Sequence, residues 1–368
     1  MTPTVVLDCR WLSFTGAGRV VELLLKGFRD APPTGHWQLW GPDSVALFSW
    51  PGAPVVKNDT RPNTWHGQRD WLRVPSADLV VFMHQQRPLR PVPALTTILD
   101  TTPIQFPASR AERFVKTQFL RRAAAMSRGI LTISEFARRG IVDELGVAEE
   151  KVEILRLPAD ADLAERVLSR RADSGGQRRD VALYLGLFLR HKNLPRLIEA
   201  FGRSCFCTDG GRLMLVGGKE LAEPLRASLD DRPRRFVDLR ARCTQIEIEE
   251  LLATSRFLIQ PSLVEGFGLP VWEALASGLP VCASDGGALP EITMGLAEHF
   301  PATSVDAMAA AIDACAARAA RMQPGDDVAL SQRLISQAPS VGDFARQFEA
   351  IVQRHLSELA TGRLSYAR

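Results

Sequence analysis

The chain has 368 residues, too many for one simple core and, at roughly 100 to 200 residues per domain, enough for two domains with a cleft. Hydrophobic residues make up 46% and charged residues 24%, and 45 Lys and Arg against 42 Asp and Glu leave a formal net charge of +3, which disfavours a disordered chain, a nucleic-acid binder or any general polyanion binder. Six cysteines without a CxxC pair argue against a disulfide framework or structural zinc, and the start lacks the basic and apolar runs of a signal peptide, so a reduced, cytoplasmic protein without a membrane span is expected.

Thr4 to Leu7 is a short β-branched run ending in Asp8-Cys9-Arg10, followed by Thr15-Gly16-Ala17-Gly18-Arg19 and the periodic run Val20 to Phe28. That order predicts strand, glycine loop, helix. The alternation recurs at Asp78 to Met83, Leu95 to Leu99 and Gly129 to Thr132, the last followed by Ser134-Glu135 as the cap of a helix through Leu145. Repeated strand and helix units predict a parallel sheet covered on both faces. Between Ala164 and Val181 the chain turns polar and basic, with Ser169-Arg170-Arg171 and Ser174-Gly175-Gly176. This reads as a linker, and it divides the chain into domains 1–165 and 166–340. The pattern then restarts: strand Val181 to Leu185, loop Gly186 to Asn193, helix Leu194 to Phe201, and strand Arg212 to Val216 closed by Gly217-Gly218. Arg256 to Gln260 and Leu279 to Ala283 give further strands with Pro270 to Ala276 helical between them, and Val341 to Leu359 is an amphipathic helix long enough to reach from one domain to the other.

Residues 259 to 291, IQPSLVEGFGLPVWEALASGLPVCASDGGALPE, carry the most chemistry. Gly266 and Gly268 precede a helix that Pro270 can start, so backbone can approach a ligand and the helix end favours an anion such as phosphate. Glu265 at the loop mouth and Glu273 inside the helix can both address that pocket, where carboxylates accept hydrogen bonds from sugar hydroxyls.

Pro261-Ser262, Glu265-Gly266-Phe267-Gly268-Leu269-Pro270, Glu273-Ala274 and Ser277-Gly278-Leu279-Pro280-Val281 closely resemble the retaining family 4 glycosyltransferases (glycosyl transferases group 1), in which two glutamates spaced by seven residues form a signature. Gly186 with Lys192-Asn193-Leu194, Leu215-Val216-Gly217-Gly218, and Thr15 to Arg19 extend the resemblance, in order, over most of the chain. It implies the GT-B fold: two facing Rossmann-like α/β domains with parallel sheets, the acceptor on the first, a nucleotide sugar on the second, and a C-terminal helix, 341–368, packing back on the first. It also implies roles. Glu273 would bind ribose hydroxyls, and Glu265 with Gly266, Phe267, Gly268 and Leu269 would hold the donor sugar and its phosphates. Lys192, with Arg190, would neutralise the departing diphosphate. Gly16 and Gly18 would bring the first-domain loop to the same diphosphate. The implied reaction is transfer of a hexose, mannose-type or related, with retention, to a hydroxyl of a glycan, a lipid-linked saccharide or a glycosylated small molecule. The competing reading is a sugar-nucleotide-binding partner protein with weak or no turnover.

Several positions depart from the family pattern. Leu187 follows Gly186 where an arginine is common, which makes Arg190 the substitute. In the first domain the usual His-Asp pair is reduced to Asp100, a candidate catalytic group, with His84 as a stand-in for the histidine. Arg156-Leu157-Pro158-Ala159 replaces the familiar Asn-Gly. Asp160-Ala161-Asp162 matches a metal motif in form but reads as a loop, and neither a metal nor a cofactor is expected. Trp11, Trp37, Trp40, Trp50, Trp65 and Trp71 all lie in the first 71 residues, as packing or as sugar-stacking faces. From Arg110 to Arg139 the basic residues are Arg110, Arg113, Lys116, Arg121, Arg122, Arg128, Arg138 and Arg139, against Glu112, Glu135; this reads as a solvated helix face or as a surface for anionic lipid headgroups.

Overall fold

The computed structural model describes residues 2–12, 16–58, 74–87, 92–217, 235–241 and 243–362. The chain forms two compact units, Met1–Pro158 with Pro339–Arg368, and Ala159–Ala338.

The first unit is built on a parallel sheet of β1 (Thr4–Asp8), β2 (His36–Gly41), β3 (Val55–Lys57), β4 (Leu79–Phe82), β5 (Ala94–Thr97), β6 (Gly129–Thr132) and β7 (Val152–Ile154), in the order β3-β2-β1-β4-β5-β6-β7. β4, β5 and β6 are buried at every residue, as strands covered on both faces must be. The C-terminal helix Val341–Ala360 lies against the helix Gly16–Asp30. Their approach is tight at Gly27, where a Cβ would come 2.5 Å from the Val341 carbonyl oxygen. Phe28, Trp37 and Phe348 interlock in tilted ring contacts there, and Gln347 donates to the Ile154 carbonyl at 2.9 Å. The C-terminal helix is therefore core of the first unit, as expected; residues 363–368 lie outside the described residues.

The second unit repeats the scheme with β8 (Arg179–Leu185), β9 (Arg212–Val216), β10 (Val237–Arg240), β11 (Ser255–Gln260), β12 (Val281–Ser284) and β13 (Glu298–Phe300), parallel and ordered β10-β9-β8-β11-β12-β13. Tyr184, Phe201, Phe206, Phe257 and Met308 anchor its core. In each sheet the chain first builds outward on one side and then crosses to the other. The carboxyl ends of β1 and β4, and of β8 and β11, are thus the switch points at which open α/β sheets bind ligands.

The polar stretch read as a linker is a helix, Ala161–Asp173, and the units part before it, at Pro158–Ala159 rather than at residue 165. Its arginines misled the reading because one of them is interior. Arg171 is 2% exposed and donates to the carbonyls of Leu252, Ala253 and Ser277 at 3.0 to 3.1 Å, all at or just past the ends of two helices, where carbonyls lack intrahelical partners. Asp160 is the N-cap of the same helix, accepting from the Leu163 N–H, so Asp160-Ala161-Asp162 is a helix start and not a loop.

Candidate active site

Two loops meet at the β8/β11 switch point. After β8 the chain turns at Gly186, whose φ of 153° suits glycine and whose Cβ would lie 2.8 Å from the Tyr184 hydroxyl. One 3-10 turn, Arg190–Lys192, follows, and Asn193 closes it in the left-handed conformation with φ 61°. The Asn193 amide donates to the carbonyls of Pro261 at 3.0 Å and Ala302 at 2.7 Å, and Leu263 N–H donates to the His191 carbonyl at 2.7 Å. These bonds fasten the lysine turn to the loop after β11.

Lys192 Nζ consequently lies 2.7 and 2.8 Å from the two oxygens of Glu265. The Glu265 Oε1 also accepts from Ser262 at 2.6 Å and Gln260 at 2.7 Å. Burial pushes the Glu265 carboxyl upward, but the Lys192 charge and the hydrogen bonds from Lys192, Ser262 and Gln260 outweigh it and hold the group below its ordinary value. Beside it, His191 is driven down to about 4 by burial and then by Lys192, so it is neutral near pH 7. Gly286 and Gly287 back the loop so closely that a Cβ on either would sit 2.3 Å from a carbonyl oxygen, that of Ser262 or Glu265.

Gly268, with φ 101°, is the N-cap of the helix Leu269–Ala276, with Pro270 in its first turn. Its Cβ would meet Leu289 Cδ2 at 2.7 Å. Phe267 is buried edge-on against Trp272, 5.4 Å between rings, so it serves packing. Glu273 is half-buried on that helix, and Arg190 is exposed. The structure thus gathers Lys192, Glu265, the 266–269 backbone and a helix N-terminus into one anion-friendly corner. Ser262 stood in the motif without a role and Gln260 was not singled out; that both brace Glu265 was not read from sequence, and their place at the end of an apolar strand was the available signal.

The remaining expected residues belong to the first unit. Gly16 and Gly18 are the first and third residues of a helix rather than of a loop. Asp100 follows β5, one strand away from that unit's switch point, and its Oδ1 accepts the Thr102 N–H at 3.0 Å in a local turn. At the switch itself stand Asp8 and Arg10, read from sequence only as a strand end, together with His84, the expected stand-in for the histidine, and Trp11. Arg10 makes a two-pronged bond to Asp8 at 2.8 and 2.7 Å, with its guanidinium 3.9 Å above the Trp40 ring. His84 stacks on Trp11 at 4.0 Å, and burial followed by Arg10 lowers it to about 3. Its Nδ1 accepts the Gln86 N–H, which leaves the proton on Nε2. Trp11, Trp37 and Trp40 are core residues and Trp50 packs on Phe28; Trp65 and Trp71 lie outside the described residues.

Residues 169–323 match the family described as glycosyl transferases group 1. The match lies within the second unit. Among curated proteins it is similar to the O-antigen chain mannosyltransferase B of Escherichia coli, 27% identical over 233 residues, covering 60% of each chain. It is 29% identical over 180 residues to the MMP alpha-(1->4)-mannosyltransferase of Mycolicibacterium hassiacum, covering 49% of this chain and 42% of the relative. The matched part therefore spans about half the length of these relatives. Among solved structures, sucrose-phosphate synthase from Thermosynechococcus elongatus superposes with a TM-score of 0.72 at 16% identity, covering 96% of this chain and 99% of that one. Anabaena Alr3699/HepE, solved in complex with UDP-glucose, gives 0.70 at 16%, covering 96% and 100%. The chain has the GT-B fold that its motifs implied.

Proposed function

We propose that this chain is a retaining glycosyltransferase that takes a nucleoside-diphosphate hexose at the β8/β11 switch point and transfers the hexose to a hydroxyl of a glycan or lipid-linked saccharide in the cytoplasm. The carrying observation is the Lys192–Glu265 pair beside the helix that Gly268 opens. Mannosyltransferase names among the relatives favour a mannose-type donor.

In this reading Glu273 accepts bonds from the ribose hydroxyls, Glu265 and the 266–269 amides orient the sugar and its phosphates, and Arg190 joins Lys192 in offsetting their charge. As the anomeric C–O bond breaks, the electron pair goes to the diphosphate, and the Lys192 ammonium meets the negative charge as it grows. The acceptor oxygen attacks from the face the leaving group departs, and its proton passes to a phosphate oxygen or a nearby base. Asp100 is the first unit's candidate for orienting that hydroxyl, and Gly16 and Gly18 are its candidates for contact with the donor.

A thermal-shift panel of GDP-, UDP-, dTDP- and ADP-sugars, followed by assay of nucleoside diphosphate release with and without an added acceptor, tests the reading. One donor should raise the melting midpoint, since binding to the native state adds to its stability, and that donor should turn over. A raised midpoint without turnover would mark a sugar-nucleotide-binding protein; no shift with any donor would refute the site.

A further inference from the structure

We infer that the second unit holds a binding site for a small organic monoanion of the carboxylate type, at the end of its sheet opposite the donor corner. A cavity of about 610 Å³ lies there, within the size range of small-molecule sites. The helix Ala161–Asp173 and the turn after it form one wall, the end of the helix Val305–Arg321 another, and the start of the helix Asp326–Ile335 a third. Arg178 stands just before β8 and Arg256 at the second residue of β11, so the length of β8, roughly 20 Å, separates the cavity from the donor corner.

The lining has two characters. Leu168, Ala319, Ala320 and Val328 make an apolar wall, and Arg171, Arg178 and Arg256 face Asp327 as the single lining acid. The three arginines are not alike. Besides the three carbonyls already described, Arg171 meets Asp327 Oδ2 at 3.1 Å, and the other oxygen of Asp327 accepts the Val328 N–H at 2.8 Å. Arg256 is paired with exposed Asp180 at 2.7 Å. Arg178 makes no ion pair among the described residues. Its contacts are the carbonyls of Gly278 at 3.2 Å and Arg256 at 3.3 Å and the Met322 sulfur at 3.5 Å, whereas a cation bonded to an anion commonly sits at ~2.7 to 2.9 Å. These contacts use Nη1 and Nη2, and Nε donates to none of them. Burial, and then the Arg171 charge, lower the Arg178 pKa to about 10 against the opposing pull of Asp327, as befits a cation confined beside another cation.

An anion at Arg178 supplies the counter-charge that the protein does not. A planar carboxylate suits a guanidinium, as Asp8 shows by taking Nε and Nη2 of Arg10 at 2.8 and 2.7 Å in the first unit. A phosphate monoester suits it less, because its second negative charge would meet the Asp327 carboxylate, and like charges brought together cost affinity. An inorganic anion would leave the apolar wall unused. An acid with a short hydrocarbon body instead lies along Leu168, Ala319, Ala320 and Val328, and takes Val328, 40% exposed, out of water. Charge count and wall together therefore favour a carboxylate with an apolar tail.

The test is a saturation-transfer NMR titration of the full chain at pH 8 with hexanoate, hexanol and hexyl phosphate as probes. Hexanoate should bind, hexanol should bind about tenfold or more weakly for want of a charge, and hexyl phosphate, largely a dianion at that pH, should bind more weakly than hexanoate. Arg178→Gln should weaken hexanoate binding about tenfold or more. Val328→Trp, which fills the cavity from an exposed position, should abolish it with unchanged circular dichroism, and it decides the matter if Arg178→Gln does not fold. Lys192→Ala should bind hexanoate as the wild type does, which separates this cavity from the donor corner. Four results would overturn the inference: no binding of hexanoate, binding unaltered by Val328→Trp, hexyl phosphate bound more tightly than hexanoate, or hexanoate binding lost with Lys192→Ala.

Discussion

At the end of β1, Asp8 and Arg10 form an ion pair two residues apart with side chains 0% and 1% exposed, whereas at the end of β8 Lys192 reaches a carboxylate 73 residues away and keeps 16% of its side chain exposed. Both pairs stand at a switch point, and each has a histidine held neutral by burial and the neighbouring cation. The difference lies in what remains to offer a ligand. Arg10 spends one edge of its guanidinium on Asp8 and one face on Trp40, so it braces the first sheet. Lys192 carries a compact charge on a flexible stem, and Glu265 also accepts from Ser262 and Gln260, so it would keep those partners if the lysine turned to a phosphate as proposed. The same device is local and covered at the end of β1, and joins separate elements at a loop mouth at the end of β8, which is why the proposed function is assigned to the second pair.

The largest effect expected from this contrast is on stability in the first unit. Asp8→Asn leaves the Arg10 charge buried without its counter-ion and should cost about 3 to 5 kcal/mol in chemical denaturation, with donor affinity unchanged at temperatures where the chain is folded. A mild effect on stability would remove the distinction between brace and site.

Acid should act next. His84 has an ordinary value of 6.5 and a folded value of about 3, so its contribution is complete above the first and is lost as pH falls toward the second. By about pH 4 this amounts to about 3 kcal/mol. Denaturation midpoints measured against pH should show that slope, and His84→Gln should flatten it whatever its effect at neutral pH. Glu265, held below its ordinary 4.5, adds its own loss only at pH below that value.

Glu273→Ala should weaken donor binding by about 1.5 to 3 kcal/mol by calorimetry with the fold intact; equal affinity would take the ribose contact away from it. Smallest of all, EDTA should leave turnover unchanged if, as proposed, Lys192, Arg190 and the 266–269 amides supply the positive field. Activity abolished by the chelator and restored by Mg²⁺ would contradict that.

The sequence made the interior legible and the edges obscure. β6 and β9 match the expected Gly129 to Thr132 and Arg212 to Val216 end for end, and the helix after Gly268 starts one residue before expected, because fully buried strands are unbroken apolar runs and Gly-x-Pro punctuates a helix start. β10 and β13 escaped, since strands such as Val237-Asp238-Leu239-Arg240 and Glu298-His299-Phe300 lie at sheet edges and carry solvent-facing charges. The helix Ala161–Asp173 escaped because its anchor, Arg171, is a buried cation, which no hydropathy pattern announces. In the candidate site, Glu265, Glu273 and Lys192 were legible through motif spacing. Their coupling was not: that Lys192 and Glu265 form one pair, braced by Gln260 and Ser262, depends on β8 and β11 being neighbours.

The central claim is that this pair is a working site in which Lys192 meets the charge of the departing diphosphate. Nucleoside diphosphate release by Lys192→Ala, measured beside donor affinity with the donor that stabilises the wild type, tests it most directly. The account predicts turnover lower by about 100-fold or more, with a smaller loss of donor affinity. Turnover equal to the wild type, with or without weakened binding, would contradict it.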